Sequence, residues 1–162
     1  MRTIRTKVYK FEELSEQAQQ KAIEWYISGN DLSCVWRDIK EDAKQIGLKI
    51  ISLSDHKENE GEFMLSANEV AANIFNEHGG DCDTYITAQE FMEEWQPVFD
   101  EYMQTEEGED KLMEIENEFL KSLLEDYRIM YNKDIEFQNS DEAVEDTIIA
   151  NEYEFTVEGN RF

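Results

Sequence analysis

An apolar stripe between residues 112 and 130 constrains the fold more than any other feature of the sequence. Its members recur every three or four residues, and acids and amides fill many of the positions between them, which is the pattern of a long amphipathic helix. The chain contains a single proline, Pro97, so few positions forbid a helix. The stripe consists of Leu112, Ile115, Phe119, Leu123, Tyr127 and Met130.

Helix start signals recur through the rest of the chain. Ser15, Ser66, Thr87 and Ser140 each precede a run with helical periodicity, and Ser66 and Thr87 are followed three residues later by glutamate, as in a capping box. Another helix is predicted over residues 33–47, with Gly47 as its stop and with an inner face of Val35, Ile39, Ala43 and Ile46. The large side chains at helical spacing are predicted to face the core: Trp25, Tyr26, Trp36, Phe75, Trp95 and Phe119.

Three stretches alternate polar and apolar residues and predict strands. They are residues 3–11, the hairpin of "LKIISLS" and "GEFMLS", and the final "EYEFTVEGNRF", which forms a strand or a hairpin. The resulting order is β, αα, ββ, αααα, β. This order predicts an α+β fold with a small, mostly antiparallel sheet packed with about six helices, including an acidic helical hairpin. The length of 162 residues and the absence of a linker predict one domain, 1–162.

Charge is strongly negative and unevenly distributed. The formal net charge is −24, yet residues 1–50 hold nine Lys/Arg against eight Asp/Glu, so the remaining residues carry −25. Residues 87–126, here called the acidic hairpin, contain fourteen acids and two lysines, Lys111 and Lys121. Such a surface repels nucleic acid and anionic membranes and attracts basic proteins. Direct nucleic-acid binding and membrane binding are therefore not expected.

Targeting and redox signals are absent from the sequence. No run of about 18 apolar residues is present and the first residues lack the apolar region of a signal peptide, so we expect a cytoplasmic protein. The two cysteines, Cys34 and Cys82, lie far apart, and both are expected to be reduced and buried or incidental.

Catalytic motifs are also missing. The sequence has no glycine-rich phosphate loop and no nucleophile elbow, and we expect neither an enzyme nor a cofactor. One segment, "HGGDCD", brings together metal-ligand types in His78, Asp81, Cys82 and Asp83, but it lacks the second Cys or His of a structural zinc site. A helix end followed by a turn explains it better. The other histidine, His56, falls in a polar loop, where exposure is expected.

Four segments resemble a widespread family of small acidic phage and prophage proteins. They are "VYKFEELSEQAQQKAIEWY", "DAKQIGLKI", "GEFMLSANEVAANIFNEHG" and "ANEYEFTVEGNRF", and the similarity runs through nearly the whole chain. The family is largely without assigned function, although some members carry the label antitoxin. The resemblance implies a phage-borne accessory factor that acts on a host system inside the bacterial cell. It implies no particular catalytic or binding residues.

The acidic hairpin suggests the function. Two antiparallel helices of about twenty residues would be roughly 30 Å long and would carry one net charge per ~2.5 Å, against about one per 1.7 Å in duplex DNA. We therefore hypothesise an anti-CRISPR or antirestriction inhibitor that blocks the nucleic-acid site of a basic CRISPR effector or restriction enzyme by charge mimicry. The contacts are assigned to Glu93, Glu94, Asp100, Glu101, Glu106, Glu107, Glu109, Asp110, Glu114 and Glu118.

Several alternative functions are open at the level of the sequence. The acids are also compatible with a solvated face that only favours solubility. The chain could be an antitoxin that neutralises a basic toxin, a regulator that binds a basic host protein, or, with less support, a metal-dependent enzyme. Homodimerisation is also open. Concentrated charge argues against solubility alone, because Glu114 and Glu118 are like charges at i, i+4 and destabilise their helix.

Overall fold

Residues 7–105 and 107–162 are described by a computed structural model of the chain. Within these ranges the helices and strands follow the predicted order, and the α+β class is confirmed. The strands are β1 (Tyr9–Lys10), β2 (Leu48–Ser52), β3 (Glu60–Phe63) and β4 (Glu154–Phe155). The helices are α1 (Glu16–Gly29), α2 (Ser33–Ile46), α3 (Ala67–Glu77), α4 (Asp83–Thr105), α5 (Glu109–Gln138) and α6 (Asp141–Ala150).

The strands form two separate antiparallel pairs within the described residues. β1 pairs with β4, so that Tyr9 lies opposite Phe155, and β2 pairs with β3, so that Leu48 lies opposite Phe63. The predicted small sheet is thus divided in two. The strand expected over 3–11 is short in its described part, because a 3-10 turn begins at Phe11; residues 3–6 lie outside the described ranges.

The described residues divide into two compact units, each with its own hydrophobic core. The first contains the residues up to Ser33 together with Lys133–Phe162, and the second is the continuous segment Cys34–Asn132. This division does not test the expectation of a single domain over 1–162, which stays a prediction.

The first unit is built around α1 and α6, both of which begin at a predicted cap. The hydroxyl oxygens of Ser15 and Ser140 accept hydrogen bonds from the backbone N–H groups of Ala18 and Ala143. The prediction that Trp25 faces the core is wrong: its side chain is 38% exposed and contacts Phe155 edge-on. The hydrophobic core of this unit consists of Phe11, Leu14, Ala18, Ala22, Ile23, Val144, Ile148 and Phe155.

The second unit packs α2 through α5 and the β2–β3 pair around one core. The buried residues of α2 are Val35, Ile39, Ala43 and Ile46, which is the predicted inner face. The capping box of Ser66 and Glu69 at the start of α3 is also confirmed. Phe75 departs from its prediction, because it is 36% exposed and packs edge-on against Tyr85.

The start of α4 differs from its prediction. The helix begins at Asp83, four residues before the expected cap at Thr87, so Thr87 lies inside the helix. Five of the six stripe residues predicted for α5 are buried there, and Met130 is half-buried. No helix in the described part of the chain, including these two long ones, is long and apolar enough to cross a membrane.

Replacing Gly159 with alanine is expected to destabilise the first unit. Gly159 has φ +80°, and an added Cβ would lie 2.1 Å from the carbonyl oxygen of Ala18. Because both the backbone conformation and the space exclude a side chain, we expect a loss of about 3 kcal/mol in the free energy of unfolding, measured with urea.

Gly29→Ala is the matched control. Gly29 closes α1 and nothing lies within 4 Å of an added Cβ. Alanine there should leave the free energy of unfolding unchanged or raise it by up to about 1 kcal/mol. Equal effects of the two substitutions would contradict the tight packing of Gly159 against α1.

Candidate partner-binding surface

The acidic hairpin consists of most of α4, a short turn and the first half of α5. Three side-chain pairs join its helices: Thr87 with Asp126, Phe91 with Phe119, and Trp95 with Glu116. Residue numbers rise along α4 as they fall along α5, so the helices are antiparallel, as predicted. Gly108 lies in the turn with φ +96°, a conformation that favours glycine.

An aromatic seam fixes how the two helices face each other. Between the helices, the rings of Phe91 and Phe119 stack with centroids 4.1 Å apart and planes 8° from parallel; within α4, the ring of Trp95 stacks on Phe99 at 4.4 Å. The Trp95 indole N–H also donates a hydrogen bond of 3.0 Å to Glu116 Oε1. These contacts turn the apolar sides of both helices inward, which leaves most of the acids on the outside.

Nine of the ten acids predicted to contact a partner lie in the described residues, and all nine are exposed. They are Glu93, Glu94, Asp100, Glu101, Glu107, Glu109, Asp110, Glu114 and Glu118. The tenth, Glu106, lies outside the described residues. Their exposure agrees with a surface that is available to a partner, although it does not test which residues make contacts.

Some of these acids already have local partners. Glu93 and Asp100 accept hydrogen bonds from Gln89 and Gln96, one helical turn earlier in α4. Glu118 forms an ion pair with Lys121 at 2.9 Å, and its charge is therefore partly neutralised within the hairpin. The amide contacts keep the charge of Glu93 and Asp100 while restricting the carboxylate positions.

A small cleft brings acids from both helices together. It has a volume of about 120 Å³, and its walls include Glu90 and Glu94 from α4 and Glu118 from α5. Phe91 and Phe119 also line it. Glu90 was not among the ten predicted contacts, yet an acid one turn before Glu94 shares its helix face, and this spacing could have identified it.

Two further acids of the hairpin turn inward, and the sequence did not single them out. Glu116 accepts the hydrogen bond from Trp95, and Asp126 accepts one of 2.7 Å from the Thr87 hydroxyl. Both are half-buried. Aligning α4 and α5 as an antiparallel pair would place each acid opposite its polar partner, so the register of the hairpin is the signal that could have found them.

Adjacent carboxylates at the base of the hairpin have opposite electrostatic environments. Burial raises the pKa of Asp126, and the nearby carboxylates of Asp83, Glu125 and Glu90 raise it further against the Thr87 hydrogen bond. For Glu125, the hydrogen bonds from the Arg128 guanidinium lower the pKa. The charged form of Asp126 is thus disfavoured, whereas the charged form of Glu125 is favoured.

Arg128 marks the end of the strongly acidic surface. Its guanidinium pairs with Glu125 at 2.6 Å and also with Asp55, which in turn accepts a hydrogen bond from Asn132. Arg128 lines a polar pocket of about 430 Å³ in which Lys57 and Lys121 also take part. Cations and acids are mixed around this pocket, so the net negative charge of the hairpin is concentrated towards its turn.

The "HGGDCD" segment forms a helix end and a turn, followed by the start of α4. His78 Nδ1 lies 2.7 Å from the Thr84 hydroxyl, and His78 Nε2 lies 3.5 Å from Asp42, which also accepts a hydrogen bond from the Tyr127 hydroxyl. This Thr–His–Asp chain has the order of a nucleophilic triad, but Thr84 is fully buried and out of reach of a substrate.

Metal-ligand types do not cluster in the described part of the chain. No group of three or more His, Cys, Asp or Glu side chains there is arranged to hold a metal ion. Both cysteines, Cys34 and Cys82, are free and exposed; of the two expectations, buried or incidental, their exposure leaves the second. His56 is exposed in its loop, as expected.

Comparisons with protein-family models, curated proteins and solved structures found no match to the chain. The resemblance to small acidic phage proteins stays a prediction from the sequence. Function is therefore argued from the surface itself.

Substituting the two adjacent carboxylates should change stability in opposite directions at neutral pH. Asp126→Asn should raise the free energy of unfolding, because the raised pKa means that the charged carboxylate is disfavoured in the folded chain. Glu125→Gln should lower it, because the pKa of Glu125 is lowered by its pairing with Arg128.

Both differences should fade in acid. The gain from Asp126→Asn shrinks as the pH falls through the raised folded pKa and vanishes below the unfolded one. The loss from Glu125→Gln disappears as the pH falls through the lowered folded pKa. Urea unfolding at neutral pH and at about pH 3 measures both effects. A shift of the two variants in the same direction at neutral pH would disprove the assigned environments.

Proposed function

We propose that the chain is a phage-encoded inhibitor whose acidic hairpin occupies the nucleic-acid site of a basic host defence protein, a CRISPR effector or a restriction enzyme. The observation that carries the proposal is the outward display of acids by two helices held together by an aromatic seam. The phage context rests on the resemblance described above, and it gives the bacterial cytoplasm as the place of action.

The density of exposed charge supports mimicry of one strand of a duplex. Ten acids of the hairpin are exposed in the described residues: the nine predicted ones and Glu90. Less the two exposed lysines, they leave a net charge of −8. Over a helix length of roughly 30 Å this is one charge per ~4 Å, close to the 3.4 Å of a single phosphate strand. The density is lower than the sequence estimate because Glu116, Glu125 and Asp126 are half-buried and Glu106 lies outside the described residues.

The mechanism follows from the chemistry of the side chains. Lysine and arginine in the groove of the partner would pair with carboxylates where they normally pair with phosphates, in charge-assisted hydrogen bonds. Binding would compete with DNA or RNA. It would also weaken at high salt, because interactions between exposed charges are screened over about 10 Å at 0.1 M ionic strength.

Capture from a host lysate tests the proposal. The chain, immobilised through its first unit, is incubated at low and at high salt with a lysate that contains CRISPR and restriction systems, and the bound proteins are identified by mass spectrometry. One nuclease or nucleic-acid-binding effector, retained at low salt and displaced by DNA or RNA, is expected. Recovery of a small toxin would favour the antitoxin function instead, and the absence of any specific partner would leave the hairpin as a solvated face.

Charge reversal near the turn should abolish the binding of that effector. The variant carries Glu107→Lys, Glu109→Lys, Asp110→Lys and Glu114→Lys, all at exposed positions. We expect its affinity to fall by about 100-fold or more at low salt, because attraction to a basic groove becomes repulsion. The affinity is measured by titration with the isolated effector, and circular dichroism checks the fold.

A control variant separates local from overall charge. It carries Glu12→Lys, Glu24→Lys, Glu136→Lys and Glu145→Lys, four exposed acids of the first unit, and it changes the net charge by the same amount. Its affinity should stay within a few-fold of the unchanged chain. If both variants lose affinity equally, the partner recognises only the total charge and the hairpin is not the binding surface.

A further inference from the structure

A pocket in the second unit has a charge opposite to that of the acidic hairpin. It has a volume of about 470 Å³ and lies beside α2 and β2. This volume falls within the range of small-molecule sites, about 300–1,000 Å³. We call it the basic pocket; its lining is Trp36, Arg37, Lys40, Glu41, Lys44, Leu48, Lys49, Ile50 and Met64.

The floor of the basic pocket is apolar. Leu48 and Ile50 are almost completely buried, Trp36 is half-buried, and Met64 is 52% exposed at the mouth. The Trp36 ring is held from the side by Tyr131, with centroids 5.4 Å apart, so its position does not depend on an occupant. An apolar body that covers Met64 and the accessible part of Trp36 would be favoured, because it removes their apolar surface from water.

Four cations surround this floor against a single acid, Glu41. Arg37 is paired with Asp38 at 3.2 Å and Lys49 with Glu62 at 2.6 Å. Lys40 and Lys44 form no ion pair with the described residues. The Lys40 ammonium lies 5.5 Å from the centroid of the Trp36 ring. Two lysines next to an apolar floor are therefore available to an anionic group.

The cations of the basic pocket are concentrated in one short segment of a chain that is otherwise strongly acidic. The four cations of the pocket fall within thirteen residues, 37–49, whereas residues 51–162 contain six Lys/Arg in all. Lys40 and Lys44 stand one turn apart on α2, and like charges at this spacing destabilise a helix. A bound anion would relieve that repulsion. No such relief is available from the apolar residues of the floor.

We infer that the basic pocket binds a small amphipathic anion: an apolar body on the Trp36, Leu48, Ile50 and Met64 floor, with its carboxylate, sulfonate or phosphate between Lys40 and Lys44. A nucleic-acid strand fits less well, because a polyanion extending beyond the pocket would meet the acids that dominate the rest of the chain. This inference is independent of the function proposed for the hairpin.

Fluorescence titration with 8-anilino-1-naphthalenesulfonate tests the inference. We expect saturable binding of one molecule per chain, and displacement of the dye by decanoate but not by decyltrimethylammonium, which has the same chain length and the opposite charge. Displacement by decanoate would assign the site to aliphatic carboxylates. Retention of the dye against decanoate, or equal displacement by decyltrimethylammonium, would contradict the inference. Absence of saturable one-to-one binding would overturn the inference.

Two variants locate the site. Lys40→Gln with Lys44→Gln should weaken dye binding about tenfold, through loss of charge-assisted contacts. Met64→Glu should weaken it by a similar factor, because it places a carboxylate at the apolar mouth; all three positions are exposed, so the fold should persist. Circular dichroism of each variant verifies this.

The matched control is Lys57→Gln with Lys111→Gln, which removes the same two charges from exposed positions outside the pocket. Its affinity for the dye should match that of the unchanged chain, as should that of the charge-reversed hairpin variant. If the control and the pocket variants lose affinity equally, binding is not at the basic pocket. Failure of the hairpin to capture an effector would leave this result unaffected, so the two proposals can be judged separately.

Discussion

Stacking between α4 and α5 is the interaction on which the acidic surface depends. Two helices that both carry many carboxylates repel each other, and something must hold them together. Burial of one large side chain contributes about 1.5–3 kcal/mol, and an aromatic pair adds roughly 1 kcal/mol more. A like-charge pair one helical turn apart costs only about 0.2–0.5 kcal/mol. Phe91, Trp95 and Phe119 therefore suffice to offset several repulsive pairs, and the exposed acids need make no contribution to stability.

Local signals in the sequence predicted most of the fold. The stripe on α5 and the caps at Ser15, Ser66 and Ser140 were correct, because periodicity and capping are decided by residues a few positions apart. The cap at Thr87 was wrong because its hydroxyl bonds to Asp126, thirty-nine residues away, and the helix extends past it. Trp25 and Phe75 were placed in the core for a similar reason: helical spacing gives a face, and only tertiary packing decides how deeply that face is covered.

The candidate surface was predictable in part. Exposure of Glu109, Asp110, Glu114 and Glu118 followed from the amphipathic pattern, since the stripe fixes which side of α5 is buried. The sequence pattern did not predict that the side chains of Glu116 and Asp126 point inward, because their direction depends on the register between the two helices. The basic pocket could not be predicted from the sequence either, because tertiary packing brings its lining together. Its lysines come from α2 and β2 and its mouth from Met64, and no local motif joins these residues.

The two units are formed by different segments of the chain, and this determines when each can fold during biosynthesis. The second unit is one uninterrupted stretch, so every residue of its core has been made once Asn132 has been added. The first unit must wait, because Val144, Ile148 and Phe155 belong to its core and are made after Asn132. The two segments of the first unit are separated by about one hundred residues. The entropic cost of bringing them together is modest, because it rises only with the logarithm of loop length. The order of synthesis has a larger effect than this entropy. On the ribosome, the unit that carries the acidic hairpin can fold first, while α1 still lacks its partner α6.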